Sequence, residues 1–338
     1  MINTLIVDDS SLARDIIRDF LESDENFKVI GEAADGEEGI EKILSLNPDL
    51  VTLDIEMPRK TGLEVIEAVM KKRSVPIVVI TNHDTAKTAY EATVRGALEF
   101  YSKDTFGASL DPMKRQGIYE TLKRISGVKG HRNINIDEPL VLKQPEKRNI
   151  RAIVIASSTG GPKALASFFT LLPKDFSLPI VIVQHNTSGF DESFAQWLNT
   201  YAAMNVKIAE DQEILRPGTV YIAKTDKHLE LRNNGSENCF FRYNNDEPEN
   251  NQKPAADVLF RSAAESLKQS VISVVFTGMG NDGAAGTRKI REMGGITLAQ
   301  DEESSLIYGM PKAAAETGCV DIVLPLDRIP GELVNLVK

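Results

Sequence analysis

The chain has 338 residues, more than the roughly 150 to 250 that one hydrophobic core usually serves, so we expect two domains. Its composition, 42% hydrophobic and 26% charged, is typical of globular proteins and excludes the disordered, collagenous and disulfide-scaffold classes. With 39 basic and 49 acidic residues the net charge is −10, which argues against a general nucleic-acid binder.

The longest uncharged apolar stretches are of strand length, which predicts that no segment inserts into a membrane. The opening stretch, MINTLIVDDS, shows neither the basic flank nor the hydrophobic core of a signal peptide, so we expect a cytoplasmic location. The two cysteines, Cys239 and Cys319, are too few for a disulfide framework or a cysteine-based zinc site.

Residues 1–125 alternate short apolar runs with helical patterns, which is typical of βαβ proteins. The runs are, in chain order, TLIV, FKVI, DLVTL, PIVVI and ALEFY. After the first run, Leu12, Ile16 and Phe20 recur at helical spacing. This alternation predicts an α/β domain with five strands and five helices, built as a doubly wound parallel sheet.

The periodicity fades over residues 126–149, which carry two prolines, two glycines and mixed charge, as linkers do. It resumes over residues 150–338 with AIVIA, PIVIV, NVKIA, VISVVF, ITLA and DIVL. Shorter runs, TVYIA, HLELR and CFFRY, alternate in the manner of an antiparallel hairpin. The sequence therefore predicts a second doubly wound parallel sheet with a small antiparallel annex.

Polar residues follow the strands of the first domain, at the edge where the carboxyl ends of parallel strands meet. They are Asp8 and Asp9 after TLIV, Asp54 after DLVTL, Thr81 after PIVVI and Lys103 after ALEFYS. Crowded carboxylates repel one another, and a hard cation such as Mg²⁺ relieves the repulsion. Such a pocket is suited to a phosphoryl group, whose phosphorus a carboxylate attacks. The alternative is that the aspartates only cap the helices that follow them.

These residues resemble the receiver domain of two-component response regulators, over about residues 1–125. The resemblance rests on the DDS triplet at 8–10, on TLDIEMP around Asp54 with Gly62 after it, and on Thr81 and Lys103. It implies a flavodoxin-like fold in which Asp54 accepts phosphate from a histidine kinase.

The same resemblance implies roles for the neighbours of Asp54. The Mg²⁺ ligands would be Asp8, Asp9, Asp54 and the carbonyl of Glu56; the phosphoryl oxygens would bind Thr81 and Lys103; and Phe100 matches the aromatic switch position. The family usually has a proline after the lysine, often with a cis bond, whereas Asp104 follows Lys103 here.

Three strand ends of the second domain carry the parts of an acyl-transfer site. Ser157 and Ser158 follow AIVIA, His185 follows PIVIVQ, and Asp282 follows VISVVFTG and a short glycine-containing turn. Acyl transfer by a nucleophile needs a hydroxyl, a base, a carboxylate that orients the base, and N–H groups for the oxyanion. The glycines of SSTGG and the helix behind them predict an oxyanion hole.

Each of these parts has an alternative interpretation. SSTGG before a helix also suits a phosphate-binding turn, although the Walker A lysine and the G-x-G-x-x-G spacing are missing. A histidine after a strand is often structural, and Asp282 would make a helix cap. Ser157, His228 and Asp301 are rival candidates for the three roles, and spacing alone does not exclude them.

Residues 152 to about 336 resemble the catalytic domain of the chemotaxis-type protein-glutamate methylesterases, the CheB family, whose layout is a receiver joined by a linker to this domain. The motifs are IASSTGGP, QHNTSGF, TDKHLEL, FTGMGNDGAAG and AQDEESSLIYGMP. The resemblance implies a Rossmann-like hydrolase fold with Ser158 as nucleophile, His185 as general base and then acid, and Asp282 as the residue that orients it. The amides of Thr159 and Met279 would form the oxyanion hole.

The chain departs from the family pattern at three places. Ser157 replaces the usual Ala before the nucleophile, Asn186 and Thr187 replace Met-Pro after the histidine, and Pro-Ala-Ala-Asp at 254–257 replaces P-S-V-D. The change after His185 alters a wall of the expected substrate groove. With the change after Pro254, it leads us to expect a substrate preference different from that of other family members.

The resemblance predicts a phosphorylation-activated serine hydrolase that demethylates glutamate esters on the cytoplasmic domain of a chemoreceptor, and that would deamidate receptor glutamines by the same chemistry. A histidine kinase would be the phosphodonor, Mg²⁺ would serve only the receiver, and the unphosphorylated receiver would cover the hydrolase cleft. Two alternatives are a hydrolase serving a non-chemotaxis signalling receptor and a non-catalytic, phosphorylation-dependent adaptor. Profiling the esters hydrolysed on receptor cytoplasmic fragments tests the first alternative. Measuring methanol release from methylated receptor tests the second.

Overall fold

The computed structural model describes residues 1–82, 86–107, 110–128, 140–141, 149–233 and 238–337. The chain divides into two compact units, Met1–Asn133 and Ile134–Lys338. The division falls inside the segment predicted as a linker, of which residues 129–139 and 142–148 lie outside the described residues. Within that segment, Leu140–Val141 form a short strand of the second unit.

The first unit is a five-stranded parallel sheet with strand order β2-β1-β3-β4-β5, which is the flavodoxin-like order. The predicted five strands and five helices are confirmed. The elements are β1 Ile2–Val7, α1 Ser11–Glu22, β2 Phe27–Ala33, α2 Gly36–Leu46, β3 Leu50–Leu53, α3 Gly62–Met70, β4 Ile77–Thr81, α4 Ala86–Arg95, β5 Glu99–Ser102 and α5 Pro112–Ser126.

Sequence and local chemistry explain how this unit positions its strand ends. All residues of β3 and β4 are buried, because helices cover both faces of the sheet. The helix α3 begins at a capping box in which Thr61 and Glu64 satisfy each other's backbone amides. A Cβ at Gly62 would lie 2.3 Å from the carbonyl oxygen of Asp54, so only glycine lets α3 start this close to the end of β3.

The second unit contains an eight-stranded sheet with order β6-β15-β14-β13-β7-β8-β10-β9, in which only β6 is antiparallel to its neighbour. The elements are β6 Leu140–Val141, β7 Ala152–Ser157, α6 Gly161–Leu171, β8 Ile180–Gln184, α7 Asp191–Leu198, β9 Asn205–Ile208, β10 Thr219–Ile222, β11 His228–Asn233, β12 Cys239–Asn244, α8 Ala256–Leu267, β13 Val271–Val275, α9 Ala284–Glu292, β14 Ile296–Gln300, α10 Met310–Glu316, β15 Ile322–Leu324 and α11 Ile329–Val337.

The antiparallel annex is smaller than the sequence predicts. The strands β11 and β12 form it as a hairpin. The prediction that TVYIA belongs to it is wrong, because β10 pairs in parallel with β8 and β9. The alternation of polar and apolar residues in TVYIA is misleading. Tyr221 looks like a polar position, yet it is buried, and its ring centroid lies 4.7 Å from that of Phe241.

The strand order places a topological switch point between β7 and β13. From β7 the chain proceeds to β8 on one side, while β13 leads to β14 and β15 on the other. Ligands of open α/β sheets bind in the crevice beyond such a point. Across the ranges described above, no helix combines the length and the apolar character needed to cross a membrane.

Candidate functional site

The strands β1 and β3 bring Asp8 and Asp54 together at the carboxyl edge of the first unit. Val7 pairs with Leu53, so the two aspartates occupy the next position on neighbouring strands. The ammonium Nζ of Lys103 lies 2.7 Å from Oδ2 of Asp54 and 2.8 Å from Oδ2 of Asp8. Carboxylate oxygens of Asp8, Asp9 and Asp54 all lie within 4.8 Å of one another.

The charges of this acidic edge are only partly balanced. Burial raises the pKa of Asp54, the hydrogen bond from Lys103 opposes the rise, and the neighbouring charge of Asp8 adds to it. Burial alone would lower the pKa of Lys103, but its hydrogen bonds to Asp54 and Asp8 outweigh burial and raise the pKa. The ammonium of Lys103 thus pairs with two of the three clustered carboxylates, and this set of oxygen donors fits a hard cation such as Mg²⁺.

The interpretation of these aspartates as helix caps is wrong. The N-cap of α1 is Ser10, whose hydroxyl accepts from the amide of Ala13, and the N-cap of α3 is Thr61. Asp8 instead accepts from the amide of Ser10 at 2.9 Å, and Asp54 accepts from the amide of Ile55 at 2.7 Å. Their remaining carboxylate oxygens, both Oδ2, face Lys103.

The other residues predicted for this site lie along the same edge. Thr81 is the buried last residue of β4, and Glu56 lies two residues beyond Asp54 with an exposed side chain. Phe100 is buried in β5, with its ring edge-on to Tyr90 at a centroid distance of 4.7 Å. Both rings therefore belong to the packing between β5 and α4.

The loop after Lys103, where the family usually has proline, forms a 3₁₀ helix over Lys103–Phe106. Phe106 at its end is buried and packs edge-on against Phe20 of α1, with ring centroids 4.9 Å apart. An aromatic anchor thus fixes the loop that presents Lys103 to the carboxylates.

In the second unit, His185 and Asp282 form a buried hydrogen-bonded pair. The ring nitrogen Nε2 of His185 lies 2.8 Å from Oδ2 of Asp282, and the two side chains are 7% and 2% exposed. A carboxylate at Nε2 holds a proton there, which leaves Nδ1 as the basic nitrogen. Within the described residues, Nδ1 is buried and has no hydrogen-bond partner, so it is not bonded to the Ser158 hydroxyl in this conformation.

Backbone amides hold the carboxylate of Asp282 from a second direction. It accepts from the amides of Ala256 at 2.6 Å, Asp257 at 3.0 Å and Gly283 at 3.1 Å. Burial raises the pKa of Asp282, but the hydrogen bond and charge of His185 and the amides outweigh it and hold the pKa below its usual value. Asp282 is therefore an ionised acceptor for His185.

Sequence reasoning missed Asn250, which joins Asp282 to a second buried carboxylate. Its Nδ2 lies 3.2 Å from Oδ1 of Asp282 and 2.8 Å from Oδ2 of Asp257. Asp257 also accepts from the amide of Gly286 at 2.6 Å, and burial is the main cause of its raised pKa. No pattern signals Asn250, because it lies in a loop and has a positive φ of 54°.

The two adjacent serines have different environments. Ser157 is fully buried as the last residue of β7, and its hydroxyl donates to Oε1 of Gln184 at 2.6 Å. Ser158 is partly exposed, in the turn between β7 and α6. Its amide donates to the carbonyl of Thr277 at 3.1 Å, and its carbonyl accepts from the amide of Gly161 at 2.7 Å.

The two loops that carry Thr159 and Met279 meet beside Ser158. The hydroxyl of Thr277 donates to the carbonyl of Thr159 at 3.0 Å. A Cβ at Gly278, the residue before Met279, would lie 2.9 Å from Cβ of Ser158, so a larger residue would displace the serine. Gly160 has a φ of +77° and ends the turn from which α6 starts.

The rival candidates His228 and Asp301 have other partners. His228 is buried, and its Nδ1 accepts from the amide of Ala255 at 3.1 Å, so its Nε2–H donates to the carbonyl of Glu247 at 3.0 Å. Both of its nitrogens are thus occupied by backbone. Asp301 accepts from the amide and the hydroxyl of Ser304 at 3.0 and 2.6 Å.

Comparison with known proteins gives two domain matches. The sequence model of the CheB methylesterase family matches residues 153–333, and that of the response regulator receiver domain matches residues 4–111. The two matches correspond to the two units of the structure.

Relatives match over the full chain. A Thermotoga maritima protein named protein-glutamate methylesterase/protein-glutamine glutaminase is 38% identical, across 100% of this chain and 99% of its own. A Geobacillus kaustophilus protein of the same name is 38% identical, across 99% of each chain. The crystal structure of the Thermotoga maritima CheB methylesterase catalytic domain matches with a TM-score of 0.54 and 43% identity, covering 56% of this chain and 99% of that one.

Proposed function

Because this chain belongs to the CheB methylesterase family and carries a response regulator receiver domain, we propose that it hydrolyses glutamate methyl esters on chemoreceptors under the control of phosphorylation at Asp54. The observation that carries the proposal is the 2.8 Å contact between His185 and Asp282, at the sheet edge where Ser158 lies. We propose that the protein works in the cytoplasm. Its protein substrate would be the cytoplasmic domain of the receptor, and its phosphodonor would be a histidine kinase.

In the first half-reaction, the hydroxyl oxygen of Ser158 attacks the ester carbonyl and its proton passes to Nδ1 of His185. Asp282 stabilises the imidazolium that forms, because its carboxylate accepts from Nε2. The negative charge on the carbonyl oxygen is directed toward the amides of Thr159 and Met279. His185 then returns the proton to the departing methoxy oxygen, so methanol leaves and an acyl-Ser158 remains.

In the second half-reaction, water attacks the acyl group and gives a proton to His185. The bond between the acyl carbon and the Ser158 oxygen then breaks, His185 passes its proton to that oxygen, and the glutamate carboxylate is released. A receptor glutamine offers the same carbonyl, with ammonia instead of methanol as leaving group. The names of the full-length relatives include both activities, and we propose both for this chain.

The proposal is tested with the full-length protein, a phosphodonor and a methylated cytoplasmic fragment of a receptor. Methanol release by the native protein, absent from a blank without enzyme, is expected. A chain that binds the receptor fragment but releases no methanol would be an adaptor, and the hydrolase proposal would fail.

For the receiver, we propose that a carboxylate oxygen of Asp54 attacks the phosphorus of the kinase's phosphohistidine, so that the P–N bond breaks and the kinase's histidine leaves, with Lys103 and Thr81 binding the phosphoryl oxygens. Asp8, Asp9 and Asp54, with the carbonyl of Glu56, would hold Mg²⁺, which neutralises negative charge during phosphoryl transfer. Support comes from the three clustered carboxylates and from the salt bridges of Lys103. Phe100 would respond to phosphorylation as the switch residue.

The first prediction concerns Asp54→Asn, which keeps the shape of the side chain and removes the attacking oxygen's charge. After treatment with a small phosphodonor and Mg²⁺, mass spectrometry of the native chain should show phosphate on Asp54, and the variant should show none. Circular dichroism should be unchanged in the variant. Phosphate found on another residue of the native chain would contradict the assignment of Asp54.

A second prediction concerns the control of the esterase by the receiver. If the receiver covers the cleft, the fragment Ile134–Lys338, which keeps strand β6, should be faster than the unphosphorylated full-length protein. Phosphodonor should raise the full-length rate toward that of the fragment. A coupling of about 1–3 kcal/mol corresponds to roughly 5- to 150-fold.

The fragment experiment needs one control and has a clear contrary result. Circular dichroism must show that the fragment is folded, and Asp54→Asn in the full chain should stay slow with or without phosphodonor. A folded fragment that is no faster than the unphosphorylated full-length protein would rule out the cap.

A further inference from the structure

Gln184 lies at the end of β8, immediately before His185, and its side chain is buried. Its amide nitrogen Nε2 donates to the carbonyl oxygen of Ser158 at 3.0 Å and to the carbonyl oxygen of His185 at 3.0 Å. We propose that Gln184 is a positioning residue that holds the nucleophile and the base in register. The inference rests on the proposed function, in which Ser158 and His185 react with each other.

The sheet alone does not fix the two catalytic residues. The last paired positions of β7 and β8 are Ser157 and Gln184, and the amide of His185 donates to the carbonyl of Ser157 at 3.0 Å. Ser158 and His185 are each one residue beyond that pair. The side chain of Gln184 extends the pairing of the two strands by that one residue, because it bonds both carbonyls.

Ser157 fixes which way the amide of Gln184 points. The hydroxyl of Ser157 donates to Oε1 of Gln184 at 2.6 Å, so the amide oxygen faces a donor and the amide nitrogen faces two acceptors. Turning the amide over would set its oxygen against two carbonyl oxygens, which is repulsive. The second serine of this chain therefore acts on the orientation of Gln184.

The start of α6 encloses this arrangement. A Cβ at Gly161 would lie 2.0 Å from Oε1 of Gln184 and 2.9 Å from Cβ of Ser157, so the helix begins in contact with the amide. The backbone N–H of Gly161 also donates to the carbonyl of Ser158 at 2.7 Å. That carbonyl thus has two donors, and only the bond from Gln184 ties it to the strand that carries His185.

The test replaces Gln184 with methionine, which has a similar length and makes neither of the two carbonyl bonds. With full-length protein, phosphodonor and methylated receptor fragment, kcat should fall about ten- to hundredfold, because small misplacements of reacting groups have effects of this size. KM should stay within about twofold, since substrate contacts are unchanged. Partial unfolding would also lower the apparent kcat at unchanged KM, so kcat is calculated per folded protein, with the folded fraction measured by circular dichroism at the assay temperature.

A second assay of Gln184→Met measures how fast Ser158 is labelled and needs no receptor substrate. A sulfonyl fluoride forms a bond to the hydroxyl oxygen of Ser158 and expels fluoride, while His185 takes the proton. Mass spectrometry should show labelling of Ser158 about ten- to hundredfold slower in Gln184→Met than in the native chain. If the native chain is labelled in this Gln184-dependent way but releases no methanol, the proposed function fails and the positioning role stands.

The contribution of Ser157 is tested by a double-mutant cycle. Ser157→Ala should lower kcat a few-fold in the native chain and cause no further loss in the Gln184→Met background, because its effect passes through that amide. The control is Ser262→Ala, which removes another buried serine hydroxyl, one that bridges Leu231 and Leu259 away from the site. It should leave kcat unchanged.

Two results would overturn the inference. One is native kcat and native labelling rate in Gln184→Met. The other is a Ser262→Ala variant that loses as much kcat as Gln184→Met when the two variants lose the same melting temperature. The effect of Gln184 would then be a general consequence of lower stability.

Discussion

Replacing Ser158 with alanine is expected to lower methanol release from methylated receptor by about three to six orders of magnitude. The reason is that acyl transfer then has no nucleophile, and only the binding and oxyanion contributions remain. The substitution removes one partly exposed hydroxyl, so circular dichroism and melting temperature should change little. The measurement is methanol release at saturating substrate by the full-length protein with phosphodonor.

The matched control for this variant is Ser157→Ala, one residue earlier. The hydroxyl of Ser157 is fully buried and donates to Gln184, so its loss should lower the rate only a few-fold. If Ser157→Ala is the inactive protein and Ser158→Ala is not, the nucleophile is Ser157 and the assignment made here is wrong.

The second large effect is expected for Asp282→Asn, which should lower kcat on the order of 10³- to 10⁴-fold. An amide at this position no longer forces the proton of His185 onto Nε2 and no longer stabilises the imidazolium. The amide would also face the N–H groups of Ala256 and Asp257, which need an acceptor. The rate should be measured together with the melting temperature, because we expect both to fall.

Asp301→Asn is the control for the carboxylate. Asp301 accepts from Ser304 and is expected to affect the rate by no more than about twofold. The reverse pattern, an inactive Asp301→Asn beside an active Asp282→Asn, would transfer the orienting role to Asp301.

Both sheets and most of the candidate site could be predicted from where the strands end and which residues follow them. Long apolar runs fix where strands lie, and parallel strands bring the residues after them to one edge. That reasoning alone placed Asp8 beside Asp54 and His185 in the same crevice as Asp282. It did not decide between Ser157 and Ser158, because both lie at the same strand end.

The rest depends on contacts that no local pattern encodes. Gln184 and Asn250 act through hydrogen bonds to residues far away in the chain, and a single polar residue in a strand or loop gives no periodic signal. The position of TVYIA was missed for a related reason. Tyr221 is classed as amphipathic, and only tertiary packing against Phe241 makes it a core residue.

The carboxylate of Asp282 has a consequence for how this domain can change during evolution. The helix α8 begins after Ala255, whose side chain has no acceptor, and the amides of Ala256 and Asp257 donate instead to Asp282, which lies in the turn between β13 and α9. A descendant that no longer hydrolyses esters would still lose roughly 0.5–2 kcal/mol of stability with that acceptor, by analogy with an ordinary helix cap. Selection for folding alone would therefore preserve Asp282, whereas Ser158, whose hydroxyl is partly exposed, could be substituted without loss of stability. In a lineage of such proteins, the serine is the residue whose persistence reports that the chemistry is still in use.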